Sequence, residues 1–178
     1  MHRGAAATPM PWKNGGGVTR ELARVPSAGE FDWRLSVADV ATDGPFSAFE
    51  GIDRILVLLS GAGMDLHFVD DRHVERLRPV RDVKSFPGEA SVHATLVDGP
   101  TTDLNLMWRR ERWDAGVLEA VLPVDLEVDG AHKVVFVVEG SATLPDGRTV
   151  VAGDAIETGD RTDLVGSGVV LVFSLWPR

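Results

Sequence analysis

Cysteine is absent from the 178 residues of this sequence. Disulfides, thiolate nucleophiles and zinc or iron–sulfur sites built on cysteine are therefore excluded. Histidines and carboxylates are the remaining metal ligands, and the five histidines form no His-x-His or i, i+4 pair. Because such pairs are the usual basis of a histidine metal site, we predict no metal and no cofactor. The alternative is a site assembled across strands from His93 with Asp103 or Asp39.

Long hydrophobic runs are also absent. The longest apolar stretches, at residues 55–59, 134–138 and 169–173, are far shorter than the ~20 residues that cross a bilayer. Residues 1–12 lack the apolar stretch and the cleavage pattern of a secretory signal. We therefore expect a cytoplasmic protein without a membrane partner.

Basic residues are few compared with acidic ones, with 18 Lys and Arg against 27 Asp and Glu and a net charge of −9. Proteins that neutralise nucleic-acid phosphates normally carry a basic face, so nucleic acid is not an expected partner. An acidic surface also repels anionic lipid headgroups. A pocket with one or two arginines is compatible with this charge and can bind a small anion strongly.

What the sequence does contain is a regular alternation of apolar segments and turns. Hydrophobic residues make up 44% and charged residues 25%, the composition of a globular protein. Turn motifs such as Asp-Gly-Pro at 43–45, Pro-Asp-Gly at 145–147 and Gly-Ser-Gly at 166–168 separate short segments rich in Val, Leu, Ile and Phe. This spacing predicts an all-β protein, with helical turns only at residues 71–78 and 109–115.

An internal repeat indicates how the strands are organised. The pattern of residues 55–63 resembles that of residues 134–142, with Gly61 matching Gly140. We expect two tandem β-barrels packed as one unit, the first built mainly from residues 18–108 and the second from about residue 117 to residue 176. The alternative is that any two buried strands that end at a glycine look alike.

One stretch, MPWKNGGGVTRE at residues 10–21, is not explained by composition, and it resembles the HutD/Ves family. Further blocks match that family in order: FDWRLSVADV at 31–40, DGPFS at 43–47, GIDR at 51–54, FPG at 86–88, GP at 99–100 and DLNLM at 103–107. Glu89 and Trp108 depart from the expected pattern. The resemblance implies a bicupin, with a cupin-like barrel over residues 1–110 that carries the Trp-Lys-Asn-Gly-Gly-Gly segment and a smaller one over residues 111–178.

Alternation along two of these blocks suggests a binding site. In a strand, Arg34 and Ser36 share one face, and Asp103 and Asn105 share one face. Each polar face is turned either to water or to the interior of a barrel. Because these residues coincide with the family blocks, we predict that they line a small polar pocket.

The predicted ligand-binding residues are Lys13, Asn14, Thr19, Arg34, Ser36, Ser47, Asp103 and Asn105. Arg34 would hold a carboxylate through its planar guanidinium, and Lys13 would add a second charge. Asp103 and Asn105 would hold an amide, imino or imidazole group of the ligand, or would fix Arg34 in a buried ion pair. The pair Asp53-Arg54 has the same ambiguity. The triple glycine matches neither nucleotide-binding motif, and we expect it to let the backbone pass close to a neighbour.

The resemblance implies a function without naming a reaction, since members of the family are encoded with histidine-degradation genes or described as stress-related. We expect a metal-free protein that senses, or regulates through, a small anionic metabolite such as urocanate, formiminoglutamate or formylglutamate. One alternative is a metal-independent enzyme with Asp39, Asp103 or His93 as general base; another is a protein-interaction module. The expected partner is the small metabolite, and a homodimer is the alternative to a monomer.

Overall fold

The computed structural model describes residues 1–2, 4–127, 130–159 and 161–178. Nearly all of its regular structure is β-strand, and the one helix in these ranges is the short 3₁₀ turn Gly4–Ala6. The prediction of an all-β chain is therefore confirmed. No helix in the described ranges has the length and apolar character needed to cross a membrane.

Contacts divide the chain into two compact units, Thr8–Glu111 and Arg112–Arg178 together with Met1–Ala7. The strands of the first unit are β1 (Pro9–Pro11), β2 (Gly17–Val25), β3 (Trp33–Val40), β4 (Gly44–Pro45), β5 (Ile52–Ser60), β6 (Met64–Phe68), β7 (His73–Leu77), β8 (Val83–Pro87), β9 (Val92–Leu96) and β10 (Thr101–Arg109). Those of the second are β11 (Trp113–Val121), β12 (Val124–Glu127), β13 (His132–Thr143), β14 (Thr149–Val151), β15 (Ala155–Thr158) and β16 (Arg161–Pro177).

The first unit contains a six-stranded sheet, in the order β1-β2-β3-β10-β5-β8, and a four-stranded sheet, in the order β4-β9-β6-β7. All of the neighbouring strands are antiparallel. An apolar cluster draws on both sheets, because alternate residues of each strand point inward. Its buried members are Val40, Leu56, Leu58, Met64, Leu66, Phe68, Leu77, Phe86, Val92 and Ala94.

The second unit has a core of its own. Its sheet has the order β11-β16-β13-β14, with β12 paired to β16 and β15 paired to β13. The buried core contains Leu122, Leu126, Val135, Val137, Ala142, Leu144, Val150, Ile156, Leu164, Val170 and Val172. This cluster consists of aliphatic side chains.

The predicted boundary at residue 110 puts residues 1–7 in the N-terminal unit. In the structure these residues belong to the C-terminal unit instead. His2 forms a β-bridge with Ala155, and its Nε2 lies 2.8 Å from Oε1 of Glu157. The amide of Gly4 donates to Oδ1 of Asp154. No hydrophobic pattern marks residues 1–7, so these long-range contacts had no signal in the sequence.

The two expected helical turns are wrong. Residues 71–78 contain strand β7, which pairs with β6 from His73 to Leu77. Residues 109–115 contain the tight connection between β10 and β11. In charged segments without a clear hydrophobic period, pairing with neighbouring strands outweighs the local preference of the residues. Gly61 and Gly140, which the predicted repeat aligns, both have a positive φ, 91° and 80°.

Candidate functional site

Three adjacent strands of the first unit, β3, β10 and β5, form the floor of a cavity. Their antiparallel register places interior side chains in rows across the sheet. Arg34, Met107 and Arg54 form one row. Ser36, Asn105 and Leu56 form the next, and Ala38, Asp103 and Leu58 form the third. Since neighbouring strands lie roughly 4.8 Å apart, the two arginine Cα atoms are about 10 Å apart, on either side of β10.

The cavity has a volume of about 690 Å³. Its walls come from the segment at residues 10–14 and from the connection at residues 45–49. The lining residues are Met10, Pro11, Trp12, Lys13, Asn14, Thr19, Arg34, Ser36, Ala38, Pro45, Phe46, Ser47, Ala48, Phe49, Arg54, Asp103, Asn105 and Met107. All eight of the predicted ligand-binding residues are in this lining. That they contact a ligand remains a prediction.

Aromatic rings hold both arginines of the floor. The Cζ atom of Arg34 lies 5.0 Å from the ring centre of Phe31 and 5.7 Å from that of Phe49. The Cζ atom of Arg54 lies 4.8 Å from the ring centre of Phe46 and 5.2 Å from that of Phe86. Guanidinium groups stacked in this way are attracted to the ring faces and lose rotational freedom. The two cations are therefore oriented before any ligand arrives.

Asp103 is a buried carboxyl group in the same cavity, with only 1% of its surface exposed. Burial raises its pKa to about 7, against the opposing effect of the Arg54 charge, and the charge of Asp39 raises it further. Burial also lowers the pKa of Arg54 to about 10, an effect that Asp103 opposes. At neutral pH the cavity therefore contains one carboxyl group near its midpoint of titration and at least one fixed cation.

Several buried polar atoms of the lining have no hydrogen-bond partner in the described protein. They are Nε of Arg34, Nε of Arg54, Oδ1 of Asp103 and Oδ1 of Asn105. Buried polar atoms are normally paired, because an unpaired one costs about 1–3 kcal/mol. A small polar molecule that carries both hydrogen-bond donors and acceptors would pair with these two donors and two acceptors.

The rim is organised by residues that precede β2. The indole Nε1 of Trp12 donates to Oγ1 of Thr19 at 2.8 Å, and the amide of Gly16 donates to Oδ1 of Asn14 at 3.0 Å. Lys13 is exposed at this rim. A Cβ atom on Gly17 would lie 2.5 Å from the carbonyl oxygen of Asp39 on β3. The glycine run therefore allows the backbone to approach β3 closely, as expected.

The remaining predicted residues differ in depth. Ser36 is buried on the floor, whereas Ser47 is exposed on the wall.

Nη2 of Arg34 donates to Sδ of Met107 at 3.1 Å. Among the described residues, Arg34 and Asp103 form no ion pair, so the alternative in which Asp103 fixes Arg34 is not what the structure shows. The charge that acts most strongly on Asp103 is that of Arg54.

Arg54 is the principal residue that sequence reasoning left out of the site. It is 6% exposed and shares the inward face of β5 with Leu56 and Leu58. A charged residue at an inward position of an otherwise apolar strand is the signal that could have found it, since such residues are rarely buried without a role.

Two other candidates for a general base lie outside the cavity lining. Oδ2 of Asp39 accepts from Arg20 at 2.6 Å and its Oδ1 accepts from Thr102 at 3.0 Å. His93 is on β9, opposite His67 and Pro45.

In the described ranges no group of three or more His, Asp and Glu side chains is arranged to hold a metal ion. The cavity donors, one carboxyl group beside two arginines, do not fit a cupin metal centre either.

Comparison with known proteins identifies similar chains. The HutD family model matches residues 4–166. An uncharacterized 21.2 kDa protein from the hutC 3′ region of Pseudomonas putida is 44% identical over 108 residues, 60% of this chain and 56% of that protein. Protein Ves of Citrobacter koseri is 38% identical over 140 residues, 76% of this chain and 70% of Ves. The chain thus spans little more than half the length of the first of these relatives.

Solved structures extend the similarity to almost the whole chain. HutD from Pseudomonas fluorescens SBW25, in a formate condition, has a TM-score of 0.86 at 31% identity, covering 99% of this chain and 97% of that one. YhhW from Escherichia coli has a TM-score of 0.72 at 11% identity, covering 99% and 97%, which is a likeness of fold alone. Together with the strand topology, these structures confirm the predicted cupin-like fold.

Proposed function

Because the chain belongs to the HutD family, we propose that it is a metal-free binding protein that recognises a small anionic metabolite and senses or regulates through it. The observation that carries this proposal is the pair of arginines on the cavity floor. Both are held by aromatic rings, and both have a buried Nε–H with no partner in the described protein. Oriented guanidinium groups of this kind match the planar geometry of a carboxylate.

The dimensions and polarity of the cavity support a small ligand. Its volume of about 690 Å³ lies within the range of small-molecule sites, roughly 300–1,000 Å³. Asn105 adds an acceptor without a partner next to the cations. A molecule with a carboxylate and a nearby N–H or O–H donor would therefore satisfy both kinds of unpaired atom.

The relatives suggest where the metabolite comes from. The P. putida relative is described by its place in the hutC 3′ region, and the family carries the name HutD. We therefore propose acids of histidine degradation, namely urocanate, formiminoglutamate or formylglutamate, as first candidates. Each combines at least one carboxylate with an imidazole, imino or formamido group.

A thermal-shift screen tests the proposal with matched ligands. The purified chain is heated with each of the three acids and with the corresponding neutral amide. A ligand at about 100 times its Kd stabilises the folded chain by about 2.7 kcal/mol. We expect a stabilising acid to lose its effect when its carboxylate becomes an amide. Equal shifts with acid and amide, or none with any acid, would contradict the proposal.

A second candidate function, metal-independent catalysis, is favoured by Asp103. A carboxyl group with a pKa raised to about 7 is suited to general acid–base work at neutral pH. Incubating each stabilising acid with the chain and following the mixture by proton NMR tests for a product. Turnover that Asp103→Asn abolishes without loss of binding would favour the enzyme, and an unchanged ligand after prolonged incubation would favour the binding protein.

A further inference from the structure

Asp103 has an environment that binding of an anion would change. It lies on the strand between the two arginines, opposite Ala38 of β3 and Leu58 of β5, and its Oδ1 has no hydrogen-bond partner in the described protein. The proposed ligand brings a second carboxylate into a cavity where the Arg54 charge already acts on Asp103. Regulation of the site through Asp103 therefore rests on the proposed function.

The charged groups that face Asp103 come from a few elements. Among the charged residues that line the cavity with Asp103, β3 contributes Arg34, β5 contributes Arg54, and the segment before β2 contributes Lys13 at the rim. β2 carries Glu21 and Arg24, whose charges act on Arg34. The connection at residues 45–49 has no ionisable side chain. Asp39 lies on the other face of β3, and its negative charge raises the pKa of Asp103. Arg20 on β2 forms an ion pair with Asp39 and partly offsets that charge.

The inward residues of β6 and β9 near the floor are apolar, for example Met64 and Ala94. Arg34, Arg54 and Lys13 are therefore the described cations of the cavity lining that can offset a second negative charge. Two carboxylates close together in a buried site do not both remain ionised easily, because each raises the pKa of the other. The ligand carboxylate is the more favourably placed of the two, since it can be oriented to meet the unpaired Nε–H donors.

We propose that Asp103 is protonated whenever the cavity holds a carboxylate, so that where Asp103 is ionised in the free chain, binding takes up one proton from solvent. The ligand stays ionised against Arg34 and Arg54, while the neutral acid of Asp103 donates a hydrogen bond to the ligand instead of repelling it. The cavity then carries the same net charge before and after binding. Carboxylate binding is consequently coupled to pH, so the protein responds to acidity as well as to its metabolite.

Thermodynamic linkage determines how strongly the Kd of the carboxylate depends on pH. Asp103 in the ligand-free chain titrates at about 7, so below pH 6 it already carries the proton and binding needs no further uptake. At higher pH binding takes up a proton, and Kd rises by up to about tenfold for each pH unit until the pH reaches the raised midpoint of the bound state. By the same linkage, saturation with the ligand raises the titration midpoint of Asp103.

Carbon-detected NMR of the chain labelled with ¹³C-aspartate tests this with sodium formate as the probe. The Asp103 carboxyl signal is titrated from pH 5 to pH 9 with and without formate, at constant ionic strength made up with sodium chloride. The ¹⁵Nε signals of the arginines report formate binding independently. We expect the arginine signals to respond and the Asp103 midpoint to rise by at least about one pH unit.

The outcomes separate this inference from the proposed function. Arginine signals that respond to formate while the Asp103 midpoint stays or falls would overturn the proton uptake and leave carboxylate binding in place. Arginine signals that do not respond at any formate concentration would overturn both. These measurements use the wild-type chain, so they do not depend on whether a variant folds.

Asp103→Asn is the matched variant, since its side chain has the same shape and its amide can donate a hydrogen bond without titrating. We expect the Kd of this variant for formate to rise clearly less between pH 7.5 and pH 9 than that of the wild type, which loses about threefold or more in affinity. A variant that loses affinity with pH as steeply as the wild type would show that another group takes up the proton.

Discussion

Replacing Asp103 by asparagine should change how the free energy of unfolding depends on pH, in the absence of any ligand. In the folded chain, burial raises the pKa of Asp103 from 3.8 to about 7. Between these two values the folded chain keeps a proton on this group that the unfolded chain has lost. The wild type is therefore stabilised at acidic pH, and this contribution is lost as the pH rises towards 7.

The magnitude depends on the width of that pH range. Each pH unit between the two pKa values contributes up to about 1.36 kcal/mol. From pH 4.5 to pH 7, the wild type should lose about 3 kcal/mol relative to Asp103→Asn, which has no proton to bind there. The substitution also removes the attraction to Arg54, which shifts the variant's stability, so the change of the difference with pH is the diagnostic quantity.

Urea unfolding followed by tryptophan fluorescence measures this, in buffers without carboxylates. Asp98→Asn, which removes one negative charge from an exposed loop, controls for net charge. A stability difference between wild type and Asp103→Asn that stays constant within about 0.5 kcal/mol from pH 4.5 to pH 7 would show that folding does not raise the pKa of Asp103. So would a wild type that gains stability relative to the variant over this range.

Three further predictions concern the cavity and its rim. Arg54→Met should destabilise the chain at pH 8 because it leaves the buried Asp103 carboxylate without its nearby cation, and Asp103 limits this part of the loss to about 1.4 kcal/mol by taking up a proton. Urea unfolding should show this part recovered in the double variant with Asp103→Asn. Gly17→Ala should lower the unfolding free energy by about 1–3 kcal/mol, because its Cβ would meet a backbone oxygen of β3 at 2.5 Å. Gly15→Asn, at a position with open space and a positive φ that asparagine tolerates, should cost less in the same assay. Lys13→Ala should change stability by less than about 0.5 kcal/mol, since the residue is exposed, yet weaken carboxylate binding measurably by calorimetry.

Alternation along strands was the most informative property of the sequence. A period of two places Arg34 with Ser36 and Asp103 with Asn105, and the structure gives each pair a common face. Alternation within one strand cannot show which strands are neighbours, however. The antiparallel register of β3, β10 and β5 brings these pairs into adjacent rows, and that register depends on contacts between distant parts of the chain.

Arg54 shows why part of the site was missed. The sequence left open whether the pair Asp53-Arg54 binds a ligand or forms an ion pair, whereas the structure pairs Asp53 with Arg110 and buries Arg54. The raised pKa of Asp103 has the same origin, because burial and the positions of Arg54 and Asp39 are set by the assembled sheet. The packing of residues 1–7 on the C-terminal unit also depends on tertiary contacts that no periodic pattern in the sequence predicts.

Titration calorimetry of wild type and Arg34→Ala, with the acid that gives the largest thermal shift, tests whether Arg34 binds the carboxylate of the ligand. The wild type should bind one molecule per chain, and the folded Arg34→Ala chain should lose about 1.5–3 kcal/mol of binding free energy, roughly 10- to 150-fold in Kd. Arg148→Ala, which removes an exposed arginine from a hairpin of the other unit, should bind as the wild type does. Undiminished binding by a folded Arg34→Ala chain would contradict the account.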